Sequence, residues 1–167
     1  MAIHFSRATS LLNEVLVAHS EQGICAILLG DTRQSVEAEL KASFPAETLI
    51  ESKPCDSLKQ IIDYIAQPKQ SLKLVLDIQG TVLQRLVWSA IAQIPLGETA
   101  SYSDLALRIG KPTAVRALAS ACAANKLAIA IPCHRVIRKD GGLSGYRWGL
   151  SRKATLLQRE AAAFNNL

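Results

Sequence analysis

Four cysteines, at positions 25, 55, 122 and 133, are spread over the 167-residue chain with no C-x-x-C pair among them, and there are three histidines. That scarcity excludes zinc-finger spacing and a dense disulfide framework. The cysteines are therefore expected to be reduced, intracellular thiols, and no metal is expected. The first ten residues, with His4 and Arg7, lack the apolar centre of a secretion signal, and no apolar run approaches membrane-spanning length. A soluble, cytoplasmic chain with no membrane partner follows. Internal repeats and low-complexity tracts are missing too, which argues against a solenoid or a disordered tail. With 49% hydrophobic and 20% charged residues, the chain has enough apolar surface for one well-buried domain or two small lobes.

Acidic residues are scarce in the C-terminal part. Residues 1–100 hold 8 Lys/Arg against 11 Asp/Glu, whereas residues 101–167 hold 11 against 3, so the net charge of +5 divides into −3 and +8. Clustered positive charge of this kind suits a polyanion partner, whose phosphates Lys and Arg neutralise.

The first eighty residues read as a small α+β lobe. Apolar runs at 13–19 and 24–29 flank Glu21-Gln22-Gly23 and predict a hairpin. Asp31 with Gln34 has the form of a capping box for a helix reaching Ser43. A second helix is expected over 55–66 and a strand over 72–78. From Gly80 the period changes: Thr81 and Gln84 form another capping box, and apolar residues recur at helical spacing through Ile94, with Trp88 read as core. Ser101 with Asp104 caps a short helix ended by Gly110. Lys111-Pro112 is expected to open the next helix, with Asn125 as its left-handed stop. These two helices read as a helix-turn-helix.

The second of them, with Ala114, Ala117, Ala119, Ala121, Ala123 and Ala124, has almost no bulk, and Arg116 is its one long central side chain. It either packs closely on a neighbour or enters a duplex groove. The side chains that read bases in the major groove are missing from it, which favours binding without sequence preference. A strand over 129–136, a basic turn at 138–142, a glycine-flanked loop over 143–149 and a last helix capped by Ser151 complete the pattern.

Chemistry concentrates in Ile131-Pro132-Cys133-His134-Arg135-Val136. A thiolate attacks far better than a thiol, and neighbouring positive charge favours thiolate. Cys133 is thus the candidate nucleophile, and Glu160 on the last helix could reach an imidazole and orient it.

This block, together with residues 97–102, Asn125, Ser144-Gly145-Tyr146 and residues 153–160, resembles the O6-alkylguanine-DNA alkyltransferases in the same order over residues 13–163. The loop at 144–149 and the strand at 23–29 are similar to the branch of that family fused to bacterial adaptive-response regulators. The resemblance implies a fold, an N-terminal ribonuclease-H-like α/β lobe (1–79) and a C-terminal winged-helix-like lobe (80–167). It also implies a reaction: damaged guanine is flipped out of the duplex and its O6-alkyl group passes to Cys133 in a single turnover, with no cofactor, in a monomer. On this basis His134 acts as base through a water, Glu160 holds it, and Tyr102 contacts the extruded base and protonates it. Arg116 fills the gap in the stack, Asn125 braces the active-site strand, and Tyr146 and the Arg147 amide wall the pocket. The Val136 carbonyl faces the base, and Ser101, Ala117 and Arg135 join the DNA-binding set. Arg147 and Trp148 stand where many relatives have small residues. The alternatives are a lesion-binding or transcription-regulating protein without chemistry, and a cysteine hydrolase.

Overall fold

The structure, a computed structural model, describes residues 1–70, 72–143 and 145–166. The chain divides into two compact units, Met1–Ile78 with Lys126–Ala130, and Gln79–Asn125 with the segment from Ile131 onward.

The first unit is built on a four-stranded sheet, in which β1 (Ala2–Ser10), β2 (Asn13–His19), β3 (Ile24–Gly30) and β4 (Thr48–Glu51) stand in the order β3-β2-β1-β4. β1 pairs antiparallel with β2 and parallel with β4. Every residue of β3 but Gly30 is buried, as are Val15 to Ala18 of β2, so the core lies along these two strands. Helices α1 (Arg33–Ser43) and α2 (Asp56–Ala66) complete the unit. Three expectations need correction. The capping box of α1 is Thr32 with Ser35, not Asp31 with Gln34, because the Thr32 hydroxyl accepts the Ser35 amide at 3.1 Å. Residues 72–78 make a single bridge, Leu76 to Ile24, and no strand. Finally, the chain is not cut once near residue 79, since Lys126–Ala130 returns to the first unit. There the Ile27 amide donates to Lys126 O at 2.8 Å, the Ala128 amide to Ile27 O at 3.0 Å, and Lys126 Nζ to Ser43 O at 3.2 Å.

The second unit contains α3 (Val82–Ala92), β5 (Ala100–Ser101), α4 (Tyr102–Arg108), α5 (Val115–Ala124), a 3₁₀ turn (Cys133–Arg135), β6 (Val136–Ile137) and α6 (Leu150–Asn165). Both capping boxes, Thr81/Gln84 and Ser101/Asp104, are formed as expected. Trp88 is core, and its indole N–H donates to Ala121 O at 2.9 Å, tying α3 to α5. α5 begins at Val115, because residues 111–114 are spent on a turn in which the Ala114 amide donates to Lys111 O. Asn125 is extended (φ −62°, ψ 124°), not left-handed. The segment expected as a strand over 129–136 is instead an irregular run through Ile129 (φ 72°) into the 3₁₀ turn, and the last helix is capped at Gly149 (φ 98°), not at Ser151.

Gly97 (φ 82°) has a backbone that side chains rarely adopt, and a Cβ there would stand 2.6 Å from Phe164 Cβ and Cγ on α6. Gly97→Ala is expected to lower the urea midpoint, with a loss of about 2 kcal/mol or more from strain and overpacking together.

Candidate active site

Parallel pairing of Ala100 with Val136 and Ser101 with Ile137 sets the start of α4 beside the residues that follow Cys133. Asn125, at the end of α5, then joins the helix to the turn: its Nδ2 donates to Ile131 O at 3.0 Å and to Cys133 Sγ at 3.3 Å. One amide thus closes the base of the 126–130 excursion and grips the thiol. The result is a cavity of about 460 Å³ whose walls include Tyr102, Cys122, Cys133, Gly145, Tyr146 and Arg147, with Ala119 and Ala123 of α5 adding little bulk.

Cys133 is 4% exposed, and the neighbouring Cys122 thiol together with burial pushes its thiol well above the ordinary range. Asn125 and the Lys153 ammonium pull the other way. At rest Cys133 is a thiol and needs a base.

His134 is fully buried, and burial lowers its pKa despite the opposing pull of Glu160. It is therefore neutral at pH 7. Its Nε2 meets Glu160 Oε2 at 2.9 Å, so Nε2 carries the proton and Nδ1 the lone pair. Nδ1 is enclosed and has no hydrogen-bond partner among the described residues, which leaves it able to take a proton.

Glu160 is 1% exposed. Burial raises its pKa, but the hydrogen bonds from His134 and Arg135 and the Arg135 charge outweigh that and hold it at about 2. Because His134 is neutral, Arg135 is the cation that balances this carboxylate: its Nε donates to Oε1 at 2.8 Å and its Nη2 to Oε2 at 3.0 Å, while Nη1 donates to Ile94 O at 2.7 Å. Arg135, expected in the DNA-binding set, thus turns its guanidinium inward to the support of the site.

Val136 is also differently engaged than expected, since its carbonyl accepts from Lys153 Nζ at 2.6 Å. A carbonyl has a second lone pair, so a base can still be met there. Lys153 itself, 0% exposed, has its pKa lowered by burial. Its importance was visible in the sequence only through spacing, because Lys153, Leu156 and Glu160 share one buried stripe of α6. Cys122 is the other wall residue that composition did not single out.

The Tyr146 ring lies edge-on to His134 (centroids 6.3 Å) and to Trp148 (5.4 Å). Its hydroxyl is enclosed without a partner among the described residues, and burial raises its pKa far above the usual phenol range, so it keeps its proton. Arg147 Nη1 donates to Asn125 O at 2.9 Å, and its guanidinium lies over the Trp148 ring at 5.4 Å. Ser144 of the same loop lies outside the described residues. Ser101 uses its hydroxyl to accept the Asp104 amide, Ala117 is half-buried, and Arg116 stands exposed on α5. Among the described residues no group of three metal-ligating side chains converges, and no helix is long and apolar enough to cross a membrane.

Residues 82–162 match the family model described as 6-O-methylguanine DNA methyltransferase, DNA binding domain. The chain is 54% identical over 166 residues to the bifunctional transcriptional activator/DNA repair enzyme Ada of Escherichia coli, covering 96% of this chain but 46% of that protein. It thus spans about half the length of that relative. It is 36% identical to the methylated-DNA–protein-cysteine methyltransferase of Methanosarcina barkeri, covering 99% of each. The crystal structure of Mycobacterium tuberculosis OGT in complex with DNA is similar at a TM-score of 0.81 and 30% identity, over 96% of this chain and 94% of that one. With the thiol, imidazole and carboxylate gathered behind one cavity, and with relatives matched over their whole length, the chain belongs to the methylated-DNA–protein-cysteine methyltransferase family.

Proposed function

We propose that this chain repairs DNA by direct reversal, taking the alkyl group from O6 of guanine, and from O4 of thymine, onto Cys133. The observation that carries the reading is the buried chain Glu160–His134 set next in sequence to a thiol that itself faces a cavity. Arg135 fixes Glu160, Glu160 fixes the tautomer of His134, and His134 Nδ1 takes the Cys133 proton through a water. The sulfur then attacks the alkyl carbon, the carbon–oxygen bond breaks, and the departing oxyanion is stabilised by protonation of the base from the Tyr102 phenol. Flipping the damaged nucleotide costs a few kcal/mol. Arg116, exposed on the slim α5, fills the space it leaves, and the +8 charge of residues 101–167 holds the phosphates. In this reading residues 80–167 bind DNA and accept the alkyl group, residues 1–79 support them, and a cytoplasmic monomer acts without cofactor.

The product thioether has no easy leaving group, so each molecule acts once. Methyl-labelled O6-methylguanine duplex in excess should transfer one equivalent of label per protein and then stop. Transfer of several equivalents would overturn the assignment. A DNA-binding regulator without chemistry gains nothing from the site, where the thiol and its buried partners are all in place.

A further inference from the structure

Lys153 is fully buried, although no proton or alkyl group passes through it in the transfer proposed above. Lysine is almost never enclosed completely, because taking an ammonium out of water costs heavily unless something holds it. Here main-chain carbonyls hold it: Nζ donates to Val136 O at 2.6 Å and lies 3.5 Å from Gly145 O. The two carbonyls belong to different parts of the site. Val136 opens β6, directly after the 3₁₀ turn that carries Cys133 and His134. Gly145, with Tyr146 and Arg147, belongs to the loop that lines the cavity.

Residues 145–149 form neither helix nor strand, and packing does not fix the near end of this loop, since a Cβ at Gly145 would meet nothing within 4 Å. Polar contacts hold it instead. Arg147 Nη1 donates to Asn125 O at 2.9 Å and Arg152 Nη1 to Trp148 O at 3.0 Å, while Lys153 reaches Gly145 and grips the strand that follows the acceptor as well. From this geometry we infer that Lys153 is a positioning residue for alkyl transfer, its ammonium clamping the Gly145 carbonyl to the Val136 carbonyl and so setting the loop that carries Tyr146 and Arg147 in place over Cys133. An ammonium suits the task, because its three donors can face carbonyls in different directions. Lys153 and Glu160 share the buried face of α6, so the clamp on the loop and the carboxylate that orients His134 hang from one rigid element. The charge adds to the effect by favouring the Cys133 thiolate. The clamp itself stands on these contacts, and its consequence for rate rests on the function proposed above.

Lys153→Met tests it in the whole protein, since methionine fills a similar volume without a donor, and exchanging buried charge for apolar bulk is often neutral for stability. The urea midpoint should stay near that of the wild type or rise. Hydrogen exchange of the amides at 145–149 should accelerate, while exchange in the β1–β4 sheet should not change. Single-turnover transfer from O6-methylguanine duplex should slow by about 10- to 100-fold, the size of a lost charge-assisted hydrogen bond. Affinity for the same duplex should stay within about threefold of wild type, because the phosphate contacts are left in place. Lys153→Gln keeps two amide donors and should fall between Met and wild type in both exchange and rate, and it carries the same comparison if the Met variant does not fold. Wild-type transfer rates in Lys153→Met, slow transfer with unchanged loop exchange, a loss of affinity as large as the loss of rate, or unfolding of both variants would overturn the proposal. A wild type that transfers no label would count against the repair reading alone, since the exchange comparison is made on the free protein.

Discussion

Glu160→Ala is expected to destabilise the protein by about 3–5 kcal/mol, the range for removing one partner of a buried ion pair, and to abolish alkyl transfer. The cause is specific. Arg135 is 8% exposed, and with the carboxylate gone its Nε and Nη2 lose the acceptors at 2.8 and 3.0 Å, leaving a desolvated cation without its counter-charge. Against a total stability of about 5–15 kcal/mol for an ordinary domain, such a loss brings unfolding within reach of physiological temperature. His134 simultaneously loses the bond at 2.9 Å that selects its tautomer. Glu160→Gln separates the two effects. It fills the same volume and can still accept the imidazole N–H, but its amide must face a guanidinium that also donates. Urea unfolding should place Gln between Ala and wild type. An unchanged urea midpoint in Glu160→Ala would show that Arg135 finds another acceptor.

The same triad sets the acid limit. The carboxyl of Glu160 is held at about 2 in the folded protein against 4.5 when unperturbed, so its contribution is complete above the unfolded value and disappears as pH falls toward 2. At about 1.4 kcal/mol per pKa unit this amounts to roughly 3 kcal/mol lost across that window. His134 acts in the same direction at higher pH. Its folded pKa is lowered, so the unfolded chain takes up a proton first as pH drops below 6.5, and stability begins to decline there.

How much of this was legible in the sequence depended on whether a signal was local. Capping boxes are local, and Thr81/Gln84 and Ser101/Asp104 were read correctly. One residue of ambiguity sufficed to misplace the start of α1, because Asp31 and Thr32 are both good caps and the choice is made by where the helix meets the sheet. β1 was not expected because Ser6, Arg7, Thr9 and Ser10 interrupt its apolar positions, and its pairing with β2 and β4 is tertiary. The reverse error occurred over 72–78, where apolar residues sit in extended chain that finds one bridge and no ladder. Around the site, the chemical identities of Cys133 and His134 were plain, but their arrangement was not. Expecting a strand there implied that neighbouring side chains point apart, whereas the 3₁₀ turn buries both. Glu160 by spacing alone resembled a surface carboxylate, and its partners are 25 and 26 residues away in sequence. Arg135 looked like a DNA contact for the same reason, since nothing local shows that Ile94 and Glu160 enclose it.

Cys133→Ala is expected to bring alkyl transfer to zero while leaving the affinity for O6-methylguanine duplex close to that of the wild type. The two properties rest on different atoms. Transfer needs a sulfur lone pair aimed at the alkyl carbon, and neither Tyr146, which keeps its proton because burial raises its pKa, nor the His134 imidazole, which is the base, can replace it. Binding rests on the positive surface of residues 101–167 and on the walls of the cavity, which this substitution enlarges by one sulfur. Its structural cost should be small, because Asn125 Nδ2 keeps Ile131 O at 3.0 Å when it loses Sγ. Gel-shift titration at fixed salt, paired with label transfer, measures both. Cys122 makes the experiment discriminating, as it is the other thiol on the same cavity wall. Label recovered on Cys122 would mean that either thiol can reach the alkyl carbon, and that position along the wall, not the His134–Glu160 pair, selects the acceptor. No label anywhere, with the duplex still bound, is the outcome that a single activated sulfur requires.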